Sequence, residues 1–223
     1  SQPMRTWLLR FDPQRADQAI LLRAVRNHPQ VQLAQNNHQL ELREVPNDDR
    51  YADQWHHQNI NSEAAWDIST GGLTADGDTI VVCIIENSNL PHDDLIGNAW
   101  FNHQEIPGNG IDDDANGYID DYRGWDANAE DDDVYGGGHG TQVAGMIGAT
   151  GDNEIGVVGA SWTVKMMVVT NTGASDEGVI ASHSYPLTMR RLYNETNGEK
   201  GAFVVATNAS WGINGGQPAD SPL

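Results

Sequence analysis

Two stretches of the chain carry residue types that could do chemistry. The first is Gly138-His139-Gly140-Thr141, running into the small, apolar stretch Gln142-Val143-Ala144-Gly145-Met146-Ile147-Gly148. A histidine between two glycines at the start of a helix presents its imidazole to open space, near the positive end of the helix dipole. Such a group can accept or release a proton near neutral pH. The second is Asp112-Asp113-Asp114-Ala115-Asn116-Gly117-Tyr118-Ile119-Asp120-Asp121. Its D-x-D-x-N-G-x-x-D spacing makes alternate oxygens converge on one point, and Gly117 permits the sharp turn of a calcium loop. Candidate ligands are Asp112, Asp114, Asn116, Tyr118, Asp120 and Asp121. Arg123 stands where an EF-hand has its bidentate Glu, so the loop requires another acid to complete it.

The composition suits a Ca2+-binding reading. The formal net charge is −20, from 32 acidic and 12 basic residues. A chain so acidic repels nucleic acid and anionic membranes. A solubilising role explains acidity in general, but not its clustering at ligand spacing. No apolar run approaches the ~20 residues of a membrane span. The single cysteine, Cys83, excludes an internal disulfide and lies in an apolar run, as a buried strand residue does. No signal peptide is visible, so an export signal is expected to have been removed or never to have existed.

The elements that must position these residues follow from periodicity. Residues 79–85 are apolar throughout, as in a parallel strand buried on both faces. Residues 164–169 and 202–206 read as further strands. A helix is expected over 62–68, capped by Asn61 or Ser62 and closed by Gly71-Gly72. Another covers 142–148, and a third covers 177–194 with an interruption near Pro186. Residues 104–136 form a long acidic, Gly- and Asn-rich loop, of a length that usually binds something. Residues 1–45 differ in character. Strand patterns at 6–11, 31–35 and 40–45 flank a helix at 19–25, which Asp12 or Asp17 could cap and Pro29 ends. The expectation is two domains: a small β-α-β-β unit over 1–46, joined by a linker at 45–50, and an α/β domain over 47–223.

The segment 138–148 resembles the histidine motif of the subtilisin-like serine proteases, usually G-H-G-T-H-V-A-G-x-I-x, with Gln142 where a second His is usual. Two further segments fall in the family's order. Residues 80–95, I-V-V-C-I-I-E-N-S-N-L-P-H-D-D-L, are similar to the strand that ends in the catalytic aspartate. Asn208-Ala209-Ser210-Trp211-Gly212 is similar to the N-x-S-x-G strand that lines the substrate cleft. The resemblance spans about 47–212. It implies an α/β, subtilisin-like three-layer fold with a mostly parallel sheet, incomplete in these residues, behind a small α+β prosegment-like unit. It implies a secreted serine endopeptidase acting on polypeptides, with His139 as general base and Ser210, Trp211 and Gly212 binding substrate by strand addition.

Where the family has D-[ST]-G, this chain has Glu86-Asn87-Ser88, and the spacing to His92 is one residue shorter than usual. Glu86 is the acid at the strand end. It can hold the imidazole tautomer, as glutamate does in other triads. The family's nucleophile motif, G-T-S-x-A, and its oxyanion Asn do not occur in 1–223. Ser221, in a polar turn before Pro222, is not read as the nucleophile. The chain is then a fragment, or one chain of a nicked pair whose companion carries the serine. The alternative is a pseudoprotease that uses the fold for binding or assembly.

The resemblance also implies a second calcium loop at 151–159. Asn153 gives a side chain and Gly151, Ile155 and Val157 give carbonyls, while Asp94 and Asp48 complete the set. A third cluster, Asp126, Asp131, Asp132 and Asp133, is similar to a weaker calcium loop of thermophilic members.

Overall fold

Four parallel strands carry the larger part of the molecule. A computed structural model describes residues 7–36, 45–170 and 175–212. The strands β1 (Ile80–Ile85), β2 (Gly124–Asp126), β3 (Lys165–Thr170) and β4 (Phe203–Asn208) form one sheet in the order β2-β3-β1-β4. β1 aligns with β3 from Val81↔Lys165 to Ile85↔Val169. Its pairing with β4 slips by one residue between Val81 and Val82, which leaves Val205 as the extra residue of a bulge. This parallel sheet with flanking helices is the expected α/β class.

Period-2 alternation sorts the strand side chains onto two faces. Val81, Cys83 and Ile85 of β1 with Met167 and Val169 of β3 pack on one face. Tyr185 and Met189 cover that face from helix α5 (Asp176–Glu195). Ile84 of β1 with Met166 and Val168 of β3 packs on the other, under Ala144 of helix α4 (Gly138–Gly148). Helix, sheet and helix make three layers. Both faces are covered at β1 and β3, so β1 and residues 166–169 of β3 read as unbroken apolar runs.

α5 is continuous for 20 residues, and the interruption expected at Pro186 is not found. Proline removes one N–H from the ladder, yet Tyr185, Pro186 and Met189 are all buried, and that packing holds the helix together through the defect. The helix over 62–68 is shorter than expected, α3 being Ser62–Trp66 after α2 (Trp55–Asn59). Neither Asn61 nor Ser62 caps it as expected. Asn61 sits at the cap position in a left-handed conformation with no side-chain bond. The 104–136 stretch contains β2, which its sequence does not announce.

The chain divides into two compact units, 1–43 and 44–223. In the first, helix α1 (Gln18–Arg26) is capped by Asp17, whose carboxylate accepts from the Ile20 N–H. The strands expected at 6–11 and 31–35 are not formed among the described residues. Among the described residues, Trp7, Leu8, Leu9 and Leu33 there are exposed and pair with no strand. The strand expected over 40–45 lies almost wholly outside the described residues.

Candidate active site

β1 ends at Ile85, and the next residue, Glu86, projects toward the N-terminus of α4. His139 is the second residue of that helix. Its Nδ1 lies 2.6 Å from Glu86 Oε1. A carboxylate only accepts, so this bond places the imidazole proton on Nδ1 and leaves Nε2 as a lone-pair acceptor. The His139 side chain is 62% exposed and that of Glu86 24%, so the pair is anchored on the inside and open on the outside. Glu86 Oε2 is buried and makes no hydrogen bond.

The helix start fits tightly against the chain that follows β1. A Cβ on Gly140 would come within 2.2 Å of the Asn87 carbonyl oxygen, and one on Gly137 within 2.6 Å. Only glycine permits this approach. Thr141 Oγ1 donates to the Gly137 carbonyl and accepts from the Asn89 N–H. Gly137, Gly140 and Thr141 therefore form a docking surface for residues 87–89.

Beyond β4, Asn208 Nδ2 donates to Ser210 Oγ. Ser210, Trp211 and Gly212 are exposed. The Trp211 indole N–H donates to the carbonyl of Ile85, at 3.0 Å. The structure thus brings the expected cleft segment to the end of β1, beside Glu86.

The acidic loop gathers some of its expected ligands and turns others away. Asp112 and Asp114 converge with Glu105, each offering an oxygen within 4.8 Å of the others. Among the described residues this is the one such acidic group. Glu105 is the acid that joins them, and its position seven residues before Asp112 gave no sign of it. Burial raises its carboxyl above the usual range, and the nearby Asp114 and Asp113 add to this. The loop is already densely bonded. Glu105 accepts from the backbone N–H groups of Asp113, Asp114 and Asp120, and Asp112 accepts from those of Asn116 and Gly117.

Asp120 faces elsewhere, accepting from Asn109 and Gly110. Asp121 is fully buried and accepts from the amides of Asn102 and Asn116 and from the Tyr185 hydroxyl, at 2.6 Å. Burial pushes its carboxyl up to about 6. The Asn116 Oδ1 accepts from Tyr118 N–H, and the Tyr118 ring packs against Trp125 and Tyr185.

The loop at 151–157 is built differently. Asp94 accepts from the Asn153 amide and the Val157 N–H. Asn153 Oδ1 accepts from the Ile155 N–H. Asp48 Oδ2 accepts from the Asp152 N–H, while Asp48 Oδ1 is buried with no partner. Burial raises the Asp48 carboxyl, and the charge of Asp94 adds to it. An orphaned oxygen beside a second carboxylate fits a hard cation. Around 126–133 the fit is poor. Asp126 caps a turn by accepting from Asn128 and Ala129, Asp132 pairs with Arg123, and Asp131 accepts from the Asp133 N–H.

The model of the subtilase family (Peptidase_S8) matches residues 35–222. The chain belongs to the subtilase family. An extracellular protease of Xanthomonas campestris is 30% identical over 170 residues, 71% of this chain and 28% of that protein. Subtilisin-like protease 1 of Plasmodium berghei is 40% identical over 94 residues, 41% of this chain and 16% of that one. The halolysin-like extracellular serine protease Nep of Natrialba magadii is 29% identical over 143 residues, 62% and 23% respectively. A solved protease structure from Pseudoalteromonas arctica aligns at 25% identity and a TM-score of 0.43, over 64% of this chain and 44% of that one. The subtilase chain thus spans less than a third of the length of these curated relatives.

Several residues that shape this subtilase site carry no sequence signal. Gln54 clamps Val158 through both its amide atoms, at 2.9 Å each. The buried His57 bonds the Val158 carbonyl and Ser62. Together they fix the end of the 151–157 loop from α2, about a hundred residues away in sequence. The buried hydroxyl of Thr170, at the end of β3, donates to Asn87 Oδ1.

Proposed function

We propose that this subtilase supplies the general base and its orienting carboxylate to a secreted, calcium-stabilised serine endopeptidase. The observation that carries this reading is the 2.6 Å contact from His139 Nδ1 to Glu86 Oε1, with the imidazole otherwise exposed. Glu86 holds the tautomer, so Nε2 can take the proton of an attacking serine hydroxyl and later return it to the leaving amine. The carboxylate also stabilises the imidazolium formed in between. The polypeptide substrate lies along Ser210, Trp211 and Gly212 as an added strand. The prosegment role of residues 1–46 belongs to the same reading.

No G-T-S-x-A motif occurs in 1–223; in this reading the nucleophile would come from polypeptide outside these residues. β4 is an edge strand among the described residues, and residues 205–207 are exposed. That edge is where the polypeptide carrying the serine would add to the sheet. Secretion is supported by the extracellular relatives, and no described helix is long and apolar enough to cross a membrane. Calcium would be held by Asp48, Asp94 and the 151–157 loop, and by Glu105, Asp112 and Asp114. There it would neutralise carboxylates that burial has brought together.

A second reading is a pseudoprotease with a binding or assembly role. It is favoured by Glu86 in place of aspartate, with one oxygen buried and unpaired. Labelling of the whole assembly by a serine-directed fluorophosphonate decides between them. Labelling that is lost in His139→Ala supports the protease. Failure of the wild-type assembly to label leaves the pseudoprotease.

A further inference from the structure

The Glu86 carboxylate has a single polar anchor, His139 Nδ1. Its second oxygen is buried without a donor, so the His139 bond is the one hydrogen bond that fixes the carboxylate about its extra side-chain bond. The restraint comes from the backbone. The Ile85 carbonyl accepts from Trp211, and the Glu86 carbonyl accepts from the fully buried Ser88 Oγ. The Asn87 carbonyl lies under Gly137 and Gly140. The Asn87 side chain reaches the other way and accepts from Thr170 Oγ1, a hydroxyl buried at the end of β3. Asn87 therefore bridges the two elements whose relative position sets the Glu86–His139 distance: α4 through its backbone, and the sheet through its side chain.

We propose that the Asn87–Thr170 hydrogen bond is the positioning contact for the Glu86–His139 pair. Asn87 and Thr170 act through Glu86 and touch no substrate. A glutamate has one more rotatable bond than an aspartate, so holding it in one geometry requires a more rigid backbone beneath it. A buried bond from the neighbouring strand provides that rigidity, because breaking it leaves the remaining partner unsatisfied. The inference rests on Glu86 being the orienter of His139, and its test separates the two ideas.

The test reads the Nδ1 proton of His139 in the whole chain by nitrogen-edited NMR of labelled histidine. The resonance is assigned by its loss in His139→Gln. In the wild type it lies far downfield, as a short bond to a carboxylate requires. In Thr170→Val and Asn87→Ala it should move upfield, with a several-fold drop in the Nδ1–H tautomer. Thr170→Ser, which keeps the hydroxyl, should leave it in place. A role confined to folding would lower the melting temperature without changing the tautomer of the folded fraction. Asn87→Ser carries the test if the other two variants fail to fold, since its side chain is too short to reach Thr170. A wild-type resonance in the variants that remove the bond overturns the proposal. The same resonance persisting in Glu86→Gln would instead overturn the pairing of Glu86 with His139.

Discussion

The two acidic loops of this subtilase solve the same electrostatic problem in opposite ways. In the 105–121 loop nearly every carboxylate oxygen accepts from a backbone N–H, an amide or the Tyr185 hydroxyl. Its charges are spread over donors that the protein itself supplies. In the 151–157 loop Asp48 keeps one buried oxygen unpaired beside Asp94. The first loop is prearranged by its own hydrogen bonds, whereas in the proposed reading the second would need a cation to offset its repulsion. Number of acids is therefore a poor guide to cation dependence. What matters is how many lone pairs are left over.

The largest expected effect follows directly. Chelation should lower the melting temperature, and most of the drop should disappear in Asp48→Asn. At a thousandfold excess of calcium over its dissociation constant, binding contributes about 4 kcal/mol, or roughly 10 °C for a unit of this size. Differential scanning calorimetry with and without chelator measures it. An undiminished drop in Asp48→Asn would move the dependence to the 105–121 loop. The same variant sharpens the comparison by a change of sign. In chelator it should melt above wild type, by about 1 kcal/mol, because the repulsion with Asp94 is gone.

Next in size is Tyr185→Phe. Removing the hydroxyl takes one of the donors from the buried Asp121 and should cost about 1–3 kcal/mol in urea titration, with or without calcium. A cost seen only in calcium would mean that the loop is not prearranged. The smallest effect concerns pH. Burial holds the His57 imidazole below its usual pKa. The folded state then binds this proton less readily than the unfolded chain. Stability is fully present above about pH 6.5 and falls as pH drops toward the folded value, by no more than about 1.4 kcal/mol per unit. His57→Gln should flatten that part of the pH profile. Because His57 fixes Val158, the acid loss should be accompanied by weaker calcium retention at the 151–157 loop, read by a calcium-sensitive dye.

Much of the site was legible because it is local. The glycines around His139, the apolar run before Glu86 and the D-x-D-x-N-G spacing are neighbours in sequence, and their chemistry follows from spacing alone. The continuity of α5 through Pro186 was not legible, because burial of Tyr185 and Met189 outweighs a lost backbone bond. The strands expected at 6–11 and 31–35 show the reverse. Alternation marks a face that could be buried, but a strand forms only where a partner completes the ladder.

The sequence by itself determined the family and the parallel α/β core, and it pointed to His139 and Glu86 as partners, since these rest on motifs and period-2 alternation. Only the tertiary structure decided which acids gather. It brought in Glu105 to join Asp112 and Asp114, and it turned Asp120 and Asp121 to other partners. It also set Thr170 against Asn87, and Gln54 with His57 against Val158. These contacts join residues as much as a hundred positions apart, through hydrogen bonds whose worth depends on burial. Burial is a property of the packed molecule, and no spacing along the chain encodes it.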